Sequence, residues 1–382
     1  MNTAQSFASP LYVMAKPASA ACNLRCRYCY YLEKEALYPE AGQRVMSDAL
    51  LEEYVRQYLE AQTQAEVLFT WHGGEPLLRP LSFYQRALEL QRRYGRGHHI
   101  DNCLQTNGTL LNDEWCRFFR DNHFLIGISI DGPEALHDAY RRTRGGQPTW
   151  HAVMRGIGLL QRHGVEWNAM ATVNRINGDH PEAFYQFFRQ IGCQYLQFTP
   201  VIEREGSLMA DYSVTPEQWG RFTCGVYDQW VRSDIGSTFV QLFDATLANW
   251  CGVAPGLCSL STMCGHSLAM EYNGDVYSCD HFVYPEHLLG NIRQQTLTAM
   301  AYSARQQQFR RQKQALPPQC QTCSWLFCCH GECPKNRLAD GTNYLCAGYR
   351  QFFQHVAADM AFMRNELNAG RAPANLMKEL KN

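Results

Sequence analysis

Three cysteines spaced C-x3-C-x2-C, Cys22, Cys26 and Cys29, follow a short apolar run near the start of this 382-residue chain. Three thiolates can hold three irons of a [4Fe–4S] cube and leave the fourth iron without a protein ligand. An iron with an open site can take the amino and carboxylate groups of S-adenosylmethionine and pass one electron to its sulfonium, releasing a 5′-deoxyadenosyl radical. That chemistry belongs to the cofactor, and the protein has only to house it. A zinc knuckle is the competing reading, but a structural zinc wants four ligands, and no fourth Cys or His lies close by in sequence.

The second half carries a further cysteine rhythm. Cys258, Cys264 and Cys279 are followed by Cys320-x2-Cys323-x5-Cys329-x3-Cys333 and then Cys346. Eight thiols suffice for two fully ligated four-cysteine cubes, and spacing alone leaves two four-cysteine zinc sites as an alternative. Cys103, Cys116, Cys193, Cys224, Cys251 and Cys328 fall outside the rhythm and read as core or loop thiols; Cys328, adjacent to Cys329, is the one whose register could be confused. Seventeen cysteines, an odd number in a long chain, point to metal or cluster binding in a reducing compartment rather than to disulfides. Asp280 follows Cys279 directly, where an Asp would otherwise be only a solvated turn residue.

The elements that must position these residues alternate. Strands are expected over 11–16, 67–71, 103–106, 124–130, 166–173 and 195–200, with helical periodicity over 48–61 (capped by Ser47), 81–94, 149–163 and 181–191. Strands alternating with helices indicate a parallel α/β sheet. The Gly, Pro and Asn punctuation falls after strands, on the rim where such folds place their ligands, so the expected architecture is an open, partial (β/α)6 barrel of the TIM type. A helix over 215–231 reads as a linker, and Tyr272-Asn273-Gly274-Asp275-Val276-Tyr277 as a hairpin turning at Asn-Gly.

Composition bounds the partners. A formal net charge of −1 offers no electrostatic case for nucleic acid, and no apolar segment approaches membrane-spanning length. Residues 1–14 lack a basic stretch followed by an apolar one, so the expected location is cytoplasmic, with no membrane partner.

The triplet with Tyr28 before its last cysteine, together with Gly73-Gly74-Glu75-Pro76 after the second strand, resembles the radical S-adenosylmethionine superfamily. The resemblance implies cofactor contacts at Tyr28, Gly74, Ser129, Arg141 and Ile202. Cys264-x9-Gly274-x4-Cys279 and the later cysteines resemble the SPASM iron–sulfur extension, which implies one auxiliary cluster on Cys258, Cys264, Cys279 and Cys333 and a second on Cys320, Cys323, Cys329 and Cys346. The implied total is three [4Fe–4S] clusters. The implied domains are a core with its linker helix over 1–235, the SPASM domain over 236–350 and a C-terminal helix and tail over 351–382.

Lys16-Pro17, Tyr30-Tyr31, 104–109, Ser129-Ile130-Asp131-Gly132-Pro133 and Gly290-Asn291-Ile292 narrow the resemblance to the anaerobic sulfatase-maturating enzymes. It implies oxidation of an active-site Cys or Ser of a nascent or unfolded sulfatase to Cα-formylglycine. Asp280 would be the proton acceptor, Tyr31 and His72 would face the substrate, and a flavodoxin or ferredoxin would donate electrons. His72 stands where relatives often carry Gln. The alternative is another SPASM-type peptide modifier that makes a crosslink, thioether or epimer.

Overall fold

A computed structural model describes residues 11–37, 44–206 and 208–381. Six strands, β1 (Tyr12–Ala15), β2 (Glu66–Trp71), β3 (His99–Thr106), β4 (Phe124–Ser129), β5 (Trp167–Val173) and β6 (Tyr195–Pro200), lie side by side in chain order, every pair parallel. Their side chains alternate. Val67, Phe69 and Trp71 of β2 and Ala169, Ala171 and Val173 of β5 are buried, while Gln105, Ser129, Met170 and Thr172 on the opposite face are only half-buried. The helices cover the apolar face, and the polar face lines the interior of the half-barrel.

The helices Asp48–Glu60, Leu81–Tyr94, Trp150–His163 and Pro181–Gln190 form where periodicity places them, and the Ser47 hydroxyl caps the first by accepting from the Leu50 N–H at 3.3 Å. A further helix, Asp113–Asp121, lies between β3 and β4, with the Asn112 side chain as its cap and Asp113 and Glu114 in its first turn. Strand β3 also starts four residues before the apolar run. Its polar beginning pairs residue for residue with β2, from Glu66 opposite His99.

The sheet does not stop at the sixth strand. β7 (Phe239–Val240) adds parallel to β6 at one edge, and β8 (Ser267–Met270) adds parallel to β1 at the other, followed by antiparallel β9 (Asp275–Tyr277) and β10 (Leu288–Asn291). The hairpin expected at 272–277 is therefore the β8–β9 pair. Its first arm lies upstream of Tyr272, and Asn273-Gly274 sits in a longer turn, with Gly274 at φ +93°. The hydrogen-bonded sheet crosses the 235/236 boundary at both edges.

The segment read as a linker, Pro216–Ser233, has a full capping box from Thr215 and Gln218 and packs along the C-terminal helix Cys346–Asn368. The two backbones meet at Gly220 and Gly348, where a Cβ on Gly348 would stand 2.2 Å from the Pro216 carbonyl oxygen. Trp219 against Tyr349, with ring centroids 5.6 Å apart, continues the contact. Among the described residues no helix is long and apolar enough to cross a membrane.

Because β1 needs β8 as its neighbour, a fragment ending at Ile235 should expose the β1 edge and the Trp219 face. Expressed alone, it is expected to aggregate or to lack a cooperative thermal transition; a monomeric fragment with a sharp melt and near-ultraviolet dichroism would contradict this dependence.

Candidate active site

The chain leaving β1 passes through residues 16–31, and the loops after the other strands close around it. Gly74 and Glu75 donate their N–H groups to the carbonyls of Ser19 and Ala21, each at 2.8 Å. A Cβ on Gly74 would lie 2.1 Å from the Ala21 carbonyl oxygen, so this approach is open only to glycine. Glu75 is fully buried and accepts from Thr106 Oγ1 and the Asn107 N–H at 2.8 Å and the Leu77 N–H at 2.9 Å; burial pushes its carboxyl up to about 7. The Asn107 amide in turn donates to Asn23 Oδ1 at 2.9 Å and approaches Cys22 Sγ at 3.7 Å. The motifs after β2 and β3 thus form the wall behind the triplet.

Cys22, Cys26 and Cys29 are free thiols close enough to raise one another's proton affinity. Burial pushes Cys22 up to about 11 and Cys29 up to about 12. As bare thiols they hold their protons, and only a bound cationic centre would favour three thiolates there, so the donor set fits an iron–sulfur cube.

Of the expected cofactor contacts, Tyr28 and Arg141 share one anchor. The Tyr28 hydroxyl donates to Asp131 Oδ2, Arg141 Nε lies 2.9 Å from the same oxygen, and Thr172 donates its hydroxyl to Oδ2 at 2.9 Å and its N–H to Oδ1 at 3.0 Å. The Tyr28 side chain is thereby engaged with protein, which leaves its main chain for a ligand. Ser129 faces the interior, its hydroxyl accepting from Gln105 Nε2 at 3.0 Å. Ile202 is buried after β6, its carbonyl accepting from Lys335 Nζ at 3.3 Å.

Asp280 is brought to the other side of the triplet, and Tyr31 and His72 come with it. Its Oδ1 lies 2.5 Å from Lys16 Nζ, while Oδ2 accepts from the hydroxyls of Tyr30 and Tyr31, the latter at 2.8 Å. Lys34 Nζ donates to the Asp280 carbonyl at 2.6 Å. Burial works to raise the Asp280 carboxyl, but the Lys16 and Lys34 ammonium groups outweigh it and hold the group well below the ordinary carboxylate range. Lys16 is itself fully buried and also pairs with Glu271 at 3.2 Å. His72 Nδ1 accepts from the Gly73 N–H at 2.8 Å and lies 3.2 Å from the Tyr31 hydroxyl, and burial lowers its proton affinity. The site therefore holds an obligate carboxylate beside a neutral imidazole.

The later cysteines fall into two neighbourhoods. Cys258, Cys264, Cys279 and Cys333 interact electrostatically with one another, and so do Cys320, Cys323, Cys329 and Cys346. Cys328 is fully buried in the core, its thiol donating to the Trp325 carbonyl at 3.3 Å, and it too interacts electrostatically with Cys329 and Cys323. Among the described residues no three His, Cys, Asp or Glu side chains are gathered as ligands of a single ion. A cube spreads its thiolates over separate corners.

Sequence reasoning did not find Lys34 or Glu271, and it quoted Lys16, Tyr30 and Asp131 without a role. A lysine one helical turn beyond Tyr30 looks like a surface residue; only the return of the chain at Asp280 buries it.

The sequence profile described as "Radical SAM superfamily" matches residues 17–188, and that described as "SPASM: Iron-sulfur cluster-binding domain" matches 258–324. The chain is 56% identical, over 100% of its length and 97% of the relative's, to the serine-type anaerobic sulfatase-maturating enzyme of Bacteroides thetaiotaomicron. It is 30% identical, over 94% and 99%, to the cysteine-type enzyme of Clostridium perfringens. The structure described as "Native anSMEcpe with bound AdoMet and Cp18Cys peptide" superposes with a TM-score of 0.85 at 30% identity, covering 94% of this chain and 99% of that one.

Burial lowers the Lys34 ammonium to about 8. In the unfolded chain Lys34 stays protonated up to the ordinary lysine range, so between those limits the unfolded state binds more protons and stability must rise with pH. The buried ammonium is a cost at neutral pH that fades as pH climbs above about 8. Anaerobic thermal melts are expected to show wild type gaining stability relative to Lys34→Met from pH 8 to 9.5; a flat difference would contradict the burial of this charge.

Proposed function

The chain belongs to the anaerobic sulfatase-maturating enzymes of the radical S-adenosylmethionine superfamily, and on that footing we propose that it oxidises the active-site Ser of a sulfatase polypeptide to Cα-formylglycine. The observation that carries the reading is Asp280, a carboxylate only 13% exposed, held in its anionic form by Lys16 at 2.5 Å and tied to the two tyrosines that follow Cys29. Serine is chosen over cysteine because identity to the serine-type relative is 56% and to the cysteine-type relative 30%. Cys22, Cys26 and Cys29 would hold the cluster with the open iron, and the two later sets of four thiols one auxiliary cube each, three in all. When bound, the first cluster and S-adenosylmethionine supply the radical that takes a hydrogen atom from the substrate Cβ.

The protein's own part is proton and charge management. A serine hydroxyl is a poor acid, but the hydroxyl on a carbon-centred radical is a much better one, so a base of low proton affinity becomes competent only after hydrogen-atom loss. Asp280 Oδ2 then takes the proton, with Tyr30 and Tyr31 fixing the direction in which that oxygen faces. The cube that Cys258, Cys264, Cys279 and Cys333 would hold would supply the acceptor for the one electron that the substrate gives up as the aldehyde forms. Lys16 keeps Asp280 ionised beforehand, and His72, neutral and beside Tyr31, closes the polar wall of the site. The natural substrate on this reading is an unfolded or nascent sulfatase, the reductant a flavodoxin or ferredoxin, and the compartment the cytoplasm.

In an anaerobic assay on a sulfatase peptide, Asp280→Asn is expected to lower aldehyde formation about 10²–10⁴-fold while deoxyadenosine release continues. Mass spectrometry of the peptide together with chromatography of deoxyadenosine reads both. Undiminished aldehyde would remove Asp280 from the reaction, and conversion of the Cys peptide but not the Ser peptide would reverse the substrate assignment.

Cys279→Ala leaves the triplet intact, so soluble protein is expected to keep abortive deoxyadenosine release and to lose aldehyde disproportionately. Conversion at the wild-type rate would contradict the place of Cys279 among the ligands.

A further inference from the structure

Two ionisable side chains are buried between the later cysteines and have no part in the chemistry described so far. Lys313, just past the helix Ala304–Gln312, is fully buried, and its Nζ donates to the carbonyl oxygens of Cys258 at 2.6 Å and Ser259 at 2.7 Å. Glu332, only 3% exposed, occupies the residue before Cys333, and its Oε2 accepts from the side-chain amides of Asn336, at 3.1 Å, and Asn343. The ammonium interacts electrostatically with the sulfurs of Cys258, Cys264 and Cys333, and the carboxylate with those of Cys258, Cys333 and Cys329. The cation thus leans on the first set of four, and the anion stands where the two sets meet.

The chain takes on strain to put the anion there. His330, Gly331 and Glu332 all have positive φ, at 48°, 72° and 52°, and two of the three are not glycine. A charge placed in the interior at this expense calls for a reason, because an apolar pair of similar size would serve stability as well or better.

We propose that Lys313 and Glu332 are fixed charges that set the reduction potential of the cluster held by Cys258, Cys264, Cys279 and Cys333, the ammonium raising it and the carboxylate lowering it. Reduction adds a negative charge to the cube. In a medium of low dielectric constant a nearby cation stabilises that charge and a nearby anion opposes it, and net charge and hydrogen bonding are levers by which proteins move such potentials. Neither side chain reaches the substrate; both act through the cluster. The inference rests on the assignment of those four thiols to one cube.

The test uses full-length protein reconstituted anaerobically with iron and sulfide, its cubes counted by iron and acid-labile sulfide and its potentials read by electron paramagnetic resonance during a redox titration. Lys313→Gln is expected to make reduction of this cluster at least tenfold less favourable, a downward shift of 59 mV or more for one electron. Glu332→Gln is expected to shift it upward, the double variant to return toward wild type, and Lys313→Arg to stay near it. Shifts of the same sign, or none, in cube-loaded protein would overturn the proposal. If Lys313→Gln cannot hold the cube, Glu332→Gln decides alone: an upward shift supports the proposal and no shift overturns it. If neither variant holds the cube, the pair is a scaffold and the proposal is overturned. The underlying assignment is read separately, since a Cys258→Ala protein with its full iron content would sink the cube itself whichever way the potentials move.

Discussion

The salt bridge between Lys16 and Asp280 is the contact on which the site depends. Lys16 ends the run that begins with β1, and Asp280 ends the run that begins with β8 and β9, so one ion pair of 2.5 Å joins the first strand of the sheet to its late extension. Lys16 is out of water and the Asp280 side chain only 13% exposed, and Glu271 on the same extension takes the other side of the ammonium. Breaking a buried pair by removing one partner typically costs about 3–5 kcal/mol, because the survivor is left uncompensated. What the pair secures is a carboxylate held in its anionic form.

The turn through Gly73, Gly74 and Glu75 serves the cofactor side in a different way. Here the constraint is steric: two carbonyls from residues 19–21 occupy the space that any Cβ on Gly74 would need. Glu75 then converts the close approach into a fixed one by accepting hydrogen bonds from the loop after β3. The triplet is positioned by backbone contacts on one side and by charges on the other, and its own sulfurs are left uncommitted to other thiols.

Much of this was legible in the chain itself. The six parallel strands followed from apolar alternation and punctuation, and the eight later cysteines as a group from their spacing, while their division into two sets came from the resemblance to the SPASM extension. The helix Asp113–Asp121 stood outside that pattern although Asn112, Asp113 and Glu114 carry a helix-start signal, because nine residues give too short a periodic run to stand apart from the turn at Asn107-Gly108-Thr109. Lys34 and Glu271 carried no local signal at all: each acquires its role from a partner more than 200 residues away in sequence. The continuation of the sheet into β8 was equally hidden, since Ser267–Met270 is too short and uniform for its edge to be chosen by pattern. Cys328 and Cys329, adjacent in sequence, differ in the fold, the first fully buried and the second only partly so.

The pairing of β1 with β8 also bears on how the chain is made. Tyr12 lies opposite Ser267, so the oldest strand waits for one of the youngest. At ordinary rates of translation about 250 residues separate them by roughly 10–50 s. Throughout that interval the edge of Tyr12–Ala15 lacks its neighbour, Lys16 lacks both of its carboxylates, and the cysteine triplet hangs from an unfinished sheet. Neither the β1 edge nor the buried charge of Lys16 is therefore satisfied until the chain has been made as far as Asp280.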